Sequence, residues 1–154
     1  MAQLMYQYYE AGLNRNRGVI NLATDPFKLA LVLNTYTPDL DLHTVWADVS
    51  AHEVADGDGY TAGGASLAGQ TLTRSDWLTT FDANDITFLA LTKTFRYGVI
   101  YLNDTKVFGG NIVKPLYAYI LFDDTPADIV LNGVDYVIQW SSLGIGRYGP
   151  YAEF

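Results

Sequence analysis

The sequence predicts an all-β protein, an antiparallel β-sandwich of jelly-roll type with a short N-terminal helix. Three observations point there. Short runs of β-branched and aromatic residues recur between residues 27 and 140. Clusters of Gly, Asn, Asp and Pro separate them, as turns require. Several of these runs are apolar on both faces, the pattern of strands in the middle of a sandwich or beneath a partner.

The chain of 154 residues has the length of one domain, 1–154, able to bury a core without cross-links. Its composition is 49% hydrophobic and 14% aromatic, enough apolar surface to offset the entropy of ordering the chain. Only 17% of residues are charged, below the roughly 25% of an average domain, which hints at surface covered by a partner.

Residues 2–13, AQLMYQYYEAGL, read as an amphipathic helix. Gln3, Gln7, Glu10 and Asn14 share one stripe, and Met5, Tyr8, Tyr9 and Leu13 the other. Gly12 and the NRNRG run at 14–18 end it. Residues 1–18 thus form a helical segment too short to stand alone, whose aromatic face docks on its own sheet or on a neighbouring subunit.

The NLATD turn at 21–25 and Pro26 lead into a strand, FKLALVL at 27–33. Residues 34–42 read as loop, with Asp41 or Thr44 capping a short helix at 45–49 that presents Trp46 and Val49 on one face. Residues 43–73 then carry the most distinctive wording in the chain, centred on GYTAGGASL at 59–67. The preceding Asp56-Gly57-Asp58-Gly59 lacks the further oxygen ligands of a calcium loop and reads as a tight turn. Gly63, Gly64 and Gly69 lack the Gly-Lys-Ser/Thr of a phosphate loop and read as backbone freedom.

Strands are expected at 72–77, 85–93, 96–102 and 114–123, with loop at 80–84 and turns at 103–106 and 109–111. Within 127–140, DIVL, Asn132-Gly133 and VDYVIQW predict a two-residue hairpin, since Asn-Gly suits both positions of a type I′ turn. Residues 141–154 form a glycine-interrupted aromatic tail with Tyr148, Tyr151 and Phe154, laid on its own core or extended to a neighbour.

Seventeen acidic against nine basic residues give a net charge of −8, with no basic cluster, so nucleic acid is not an expected partner. The absence of cysteine removes disulfides and thiolate chemistry. Neither a signal peptide nor a bilayer-spanning helix is expected, because the longest apolar run, 115–122, is too short. His43 and His52 have no nucleophile motif beside them. Asp39, Asp41 and His43 alternate, yet a Pro-Asp turn explains them through capping. Asp56, Asp58, Asp82, Asp85, Asp123 and Asp124 supply carboxylates without a defined pair. Trp46, Trp77, Tyr60 and Tyr97 suit a sugar-stacking platform or, alternatively, core and assembly packing. No catalytic residue, metal or cofactor is expected, and the chain does not read as an enzyme.

Taken together, INLATDPFKLALVL from Ile20, YTPDLDLH from Tyr36, DVSAHEV from Asp48, GYTAGGASL from Gly59, TFDANDITF from Thr80 and the RYGVIYL strand resemble a family of small virion structural proteins of tailed bacteriophages. The resemblance spans residues 6–140. It implies an all-β domain on the particle, most often at the head surface, with no catalytic residues. The expected role is that of a capsid decoration or cement protein that binds the major capsid protein and stabilises the shell. It would be a homo-oligomer, with a trimer favoured, assembled in the host cytoplasm and resident on the virion. Met5, Tyr8, Tyr9, Tyr148, Tyr151 and Phe154 are the expected inter-subunit contacts. The alternatives are a tail, neck or fibre component, or a carbohydrate-binding module for host attachment.

Overall fold

At the N-terminus, strand pairing prevails over helical periodicity. In the computed structural model, which describes residues 3–75 and 77–149, β1 (Leu4–Gln7) runs antiparallel to residues 118–121, with Leu4 opposite Leu121 and Gln7 opposite Ala118. The helix expected from residue 2 therefore begins later. Tyr8 is still extended, and α1 (Tyr9–Asn16) starts behind it. Four residues that alternate sides can satisfy a sheet as well as a helix, and the available neighbouring strand decides. The end of α1 follows the sequence closely. Gly18 N–H bonds the Arg15 carbonyl (3.1 Å) and Val19 N–H bonds the Asn14 carbonyl (2.8 Å), the pair of contacts that defines a Schellman cap.

After the turn at residues 21–25 comes β2 (Phe27–Val32), buried along nearly its whole length. The short helix expected at 45–49 is a single 3-10 turn, Trp46–Asp48, and a second 3-10 turn, Ser50–His52, follows it. Trp46 and Val49 are both buried, as their spacing implies. The cap comes from within the turn, since Asp48 Oδ2 accepts the N–H groups of Thr44 (2.9 Å) and Val45 (3.1 Å). The remaining strands are β3 (Ala65–Ser66), β4 (Thr71–Ser75), β5 (Leu78–Asp82), β6 (Ile86–Leu91), β7 (Thr94–Phe95), β8 (Tyr97–Leu102), β9 (Thr105–Val107), β10 (Asn111–Val113), β11 (Leu116–Leu121), β12 (Ile129–Val130), β13 (Val134–Ile138) and β14 (Gly146–Tyr148).

Two of these correct the sequence reading. β5 covers residues expected to be loop, because Phe81 is a fully buried core ring and the segment pairs on both sides, with β4 and β14. The Asn132-Gly133 hairpin does not form. β12 pairs with β7 and β13 pairs with β6, so the two arms go to different partners. Gly133 alone has positive φ (65°), and its N–H bonds Thr92 Oγ1 at 2.8 Å. A type I′ turn needs both central residues at positive φ.

All strand pairs run antiparallel, and the fold is sandwich-like. The main sheet has the order β1-β11-β8-β2-β3. Register puts Phe27, Leu29 and Leu31 opposite Leu102, Ile100 and Gly98. This face packs against Phe81, Phe95, Phe122 and Tyr136, carried by or beside the small sheets β14-β5-β4, β12-β7 and β13-β6. The opposite face, with Ala30, Val99, Tyr101 and Tyr119, is covered by Tyr8 and the segment 33–55. Coverage on both sides explains why β2, β8 and β11 lack a polar face.

Candidate functional site

The glycine-rich stretch is built against the main sheet, where Ala65 and Ser66 pair with Leu29 and Lys28. Asp58 and Gly59 both have positive φ (52° and 86°), between a Gly57–Tyr60 pair joined by two backbone hydrogen bonds of 2.8 and 3.0 Å. This is the geometry that Asp-Gly favours in a two-residue turn. Beyond it, the buried Tyr60 phenol donates to Glu53 Oε1 (2.6 Å) and accepts from Leu31 N–H (3.2 Å). The same Glu53 oxygen accepts Gly63 N–H at 2.5 Å, and Tyr101 donates to the Gly63 carbonyl at 2.7 Å. At Gly64 the loop meets β2 so closely that a Cβ would lie 2.0 Å from the Leu29 carbonyl oxygen. Only glycine permits that approach.

The two histidines both lie beside Tyr36, at ring-centroid distances of 5.4 Å for His43 and 5.8 Å for His52. Asp39 N–H faces His43 Nδ1 at 3.2 Å, which makes that nitrogen an acceptor, so the Tyr36 hydroxyl donates to it at 2.9 Å. Tyr8 then donates to the Tyr36 oxygen at 2.7 Å. Burial pushes the Tyr36 phenol up to about 12 and the Tyr8 phenol further. Both remain neutral hydrogen-bonding groups at ordinary pH. His52 Nδ1 contacts Thr35 Oγ1 at 2.9 Å. Asp39 Oδ1 accepts the N–H groups of Leu42 and Asp41, which hold its carboxyl below the usual range. The Asp39 carboxylate and the His43 ring are thus engaged in the turn itself, and Asp41 joins it through its backbone N–H.

Four of the six nominated carboxylates accept protein hydrogen bonds, and Asp58 lies 3.7 Å from Lys93 Nζ. Asp56 accepts Ala62 N–H, Asp82 accepts Ala83 N–H, Asp85 accepts Trp140 N–H, and Asp123 accepts both the hydroxyl and the N–H of Thr125. The Thr125 contacts hold the Asp123 carboxyl below its usual range. Among the described residues, no group of three His, Asp or Glu side chains is arranged to hold a metal.

The aromatic candidates separate sharply. Trp46 stacks on Tyr101 at 4.3 Å between ring centroids, and Tyr60 is buried. Tyr97 packs edge-on against Tyr36 and Tyr119. Trp77 alone of the four stands in solvent, 80% exposed. It forms a wall of a cleft of about 580 Å³, between the C-terminal part of α1 and the β4–β5 hairpin. Arg15 and Tyr148 stand opposite, with the guanidinium carbon 3.6 Å above the Tyr148 ring centre. The Tyr148 hydroxyl is hydrogen-bonded to Tyr117, and burial raises both phenols.

The expected inter-subunit contacts have different fates. Tyr8 is a correction: it is fully buried in its own core, held by Tyr36 and Tyr119, and has no surface to give a neighbour. Met5 is 37% and Tyr9 65% exposed. Tyr148 lies half-buried on β14, which pairs with β5 of the same chain. Tyr151 and Phe154 lie outside the described residues. Sequence reasoning missed other exposed apolar side chains. Leu4 and Tyr6 flank Met5 on β1, an outer strand of the main sheet. Val107 and Phe108 are exposed at the β9–β10 hairpin, and Leu89, Val130 and Val137 on the small sheets. Short strands with mixed alternation gave no signal of which side would be left open.

The chain matches no protein-family model, no curated protein and no solved structure.

Proposed function

We propose that this chain is a virion structural protein of a tailed bacteriophage, a decoration protein that binds the head surface and stabilises the shell. The observation that carries this reading is the apolar outer strand β1. Leu4, Met5 and Tyr6 are all more than one third exposed there, next to Tyr9 and Leu13 on α1. An outer strand offers unpaired backbone groups as well as side chains, so a neighbouring subunit can extend the sheet and bury these residues at once. Low charge content supports the same role, because a surface that is covered on assembly needs fewer solvating groups.

The partner in this reading is the major capsid protein, and the protein itself assembles as a homo-oligomer, with a trimer at three-fold positions favoured. Contacts available only in the expanded shell stabilise that state by mass action. Mixing purified protein with capsids stripped of accessory proteins, then sedimenting, tests the proposal. Co-sedimentation with expanded capsids, lost on Met5→Asp or Tyr6→Asp, is the expected result. No co-sedimentation at any maturation state overturns it. Counting copies per particle separates this role from that of a tail, neck or fibre component, which is present in far fewer copies.

A further inference from the structure

We infer that the cleft between α1 and the β4–β5 hairpin is a binding site for an acidic saccharide, one carrying a carboxylate on its sugar ring. This assignment concerns a different surface from the β1 strand and does not depend on the decoration role.

The first argument is charge. The chain carries −8 overall, yet the described residues lining this cleft include two arginines and no acid. Among the described residues neither Arg15 nor Arg74 has a carboxylate partner, whereas Arg17 and Arg96 are paired with Glu10 and Asp128. Arg15 Nε is buried with no hydrogen-bond partner among the described residues. A buried donor left unpaired is costly, and a carboxylate is the group a guanidinium fork fits best.

The second argument is shape and stacking. At about 580 Å³ the cleft has the size of small-molecule sites, which span roughly 300–1,000 Å³. Trp77 lines the cleft and is 80% exposed, so core packing does not account for it. Exposed aromatic rings suit the C–H faces of sugars, which combine apolar patches with hydroxyls at the rim. Asn21 and Thr79 place side-chain polar groups on the lining for those hydroxyls. Arg74 lies on β4 and Trp77 just before β5, so one hairpin carries both the charge and the ring. β4 and β14, whose residues line the cleft, are the outer strands of their sheet, so an extended acidic peptide is the competing occupant that the test has to exclude.

The test uses the full chain and the fluorescence of Trp77. Trp46 and Trp140 are each only 8% exposed, so iodide quenching reports mainly on Trp77. Titration with an oligogalacturonide and with sialyllactose, against neutral lactose and a glutamate-rich peptide, should show saturable protection by at least one acidic sugar. Which of the two binds identifies the source of the acid group. Isothermal titration should find affinity lowered about tenfold or more by Arg74→Ala, the scale of a charge-assisted hydrogen bond. Arg74→Lys should restore part of it, and Trp77→Ala should lower it similarly. Far-UV circular dichroism of the variants controls for folding, since both residues are exposed. No saturable binding by either acidic sugar, equal binding by lactose, or equal binding by the peptide overturns the assignment.

Discussion

The hydroxyls of Tyr8 and Tyr36 lie 2.7 Å apart, tying the junction between β1 and α1 to the loop that follows β2. Tyr8 donates to Tyr36, Tyr36 donates its own hydrogen bond to His43, and both phenols are buried while the imidazole is partly exposed. Removing only the hydroxyl, in Tyr8→Phe, leaves Tyr36 bonded to His43 and should cost about 1 kcal/mol. Tyr8→Ala empties a fully buried site and should cost roughly 3–5 kcal/mol. Tyr9→Ala, one residue on and mostly exposed, should fall within about 0.5 kcal/mol of the parent. Urea unfolding measures all three. Equal effects at positions 8 and 9 would contradict the assignment of Tyr8 to the core.

Gly64 makes a sharper prediction. A Cβ at this position would lie 2.0 Å from the Leu29 carbonyl oxygen, and the backbone φ is +83°. Gly64→Ala therefore combines left-handed strain with a backbone clash and should cost about 3–5 kcal/mol. Gly109→Ala is the control. Its φ is +65° with nothing within 4 Å of the added carbon, so strain alone remains, about 1–2 kcal/mol. A Gly64→Ala protein as stable as the Gly109→Ala protein would show that the loop does not press on β2 as described.

Two tryptophans that read alike in the sequence should behave oppositely. Trp46 stacks almost flat on Tyr101, with an interplanar angle of 12°, and covers one face of the main sheet. Trp46→Ala should cost roughly 3–5 kcal/mol. Trp77→Ala should leave thermal stability within about 0.5 kcal/mol, because its ring packs on no core. Calorimetric melting of both variants checks this. A large loss at Trp77 would mean that the ring is structural, and would remove it from the proposed cleft chemistry.

These contrasts also mark what the sequence could express. The antiparallel β class was legible because β2, β8 and β11 are short runs that are apolar on both faces, a property local to each segment. The end of α1 was legible for the same reason, since its cap is made within five residues. Its start was not, because residues 4–7 become a strand only through pairing with β11, more than a hundred residues away. The Asn132-Gly133 turn failed in the same manner: local chemistry favoured a hairpin, while Phe95 and Phe88, opposite Ile129 and Tyr136, drew the two arms to separate strands. The Asp58-Gly59 turn, with equal local chemistry and no competing partner, formed. In the cleft, Arg15 and Trp77 lie 62 positions apart, and neither residue alone signals a site.

The buried phenols set how the fold responds to alkali. Burial pushes Tyr36 and Tyr101 up to about 12, with the Glu53 charge adding to the effect at Tyr101. Burial also raises Tyr8, Tyr60 and Tyr117. In the unfolded chain a tyrosine ionises near pH 10. Between about pH 10 and 12 the folded chain therefore holds more protons than the unfolded chain, and the stability that these phenols contribute falls as pH rises. Below about pH 10 that contribution is complete. Unfolding midpoints in urea should thus be level with respect to these groups up to about pH 10 and decline steeply above it, with phenolate absorbance and loss of circular dichroism appearing together. Tyr36→Phe removes one of the titrating groups and should make the decline shallower. Phenolate absorbance reaching its unfolded-chain value by about pH 11, while circular dichroism remains native, would show that these hydroxyls are open to solvent and would dismantle the row that begins at Tyr8.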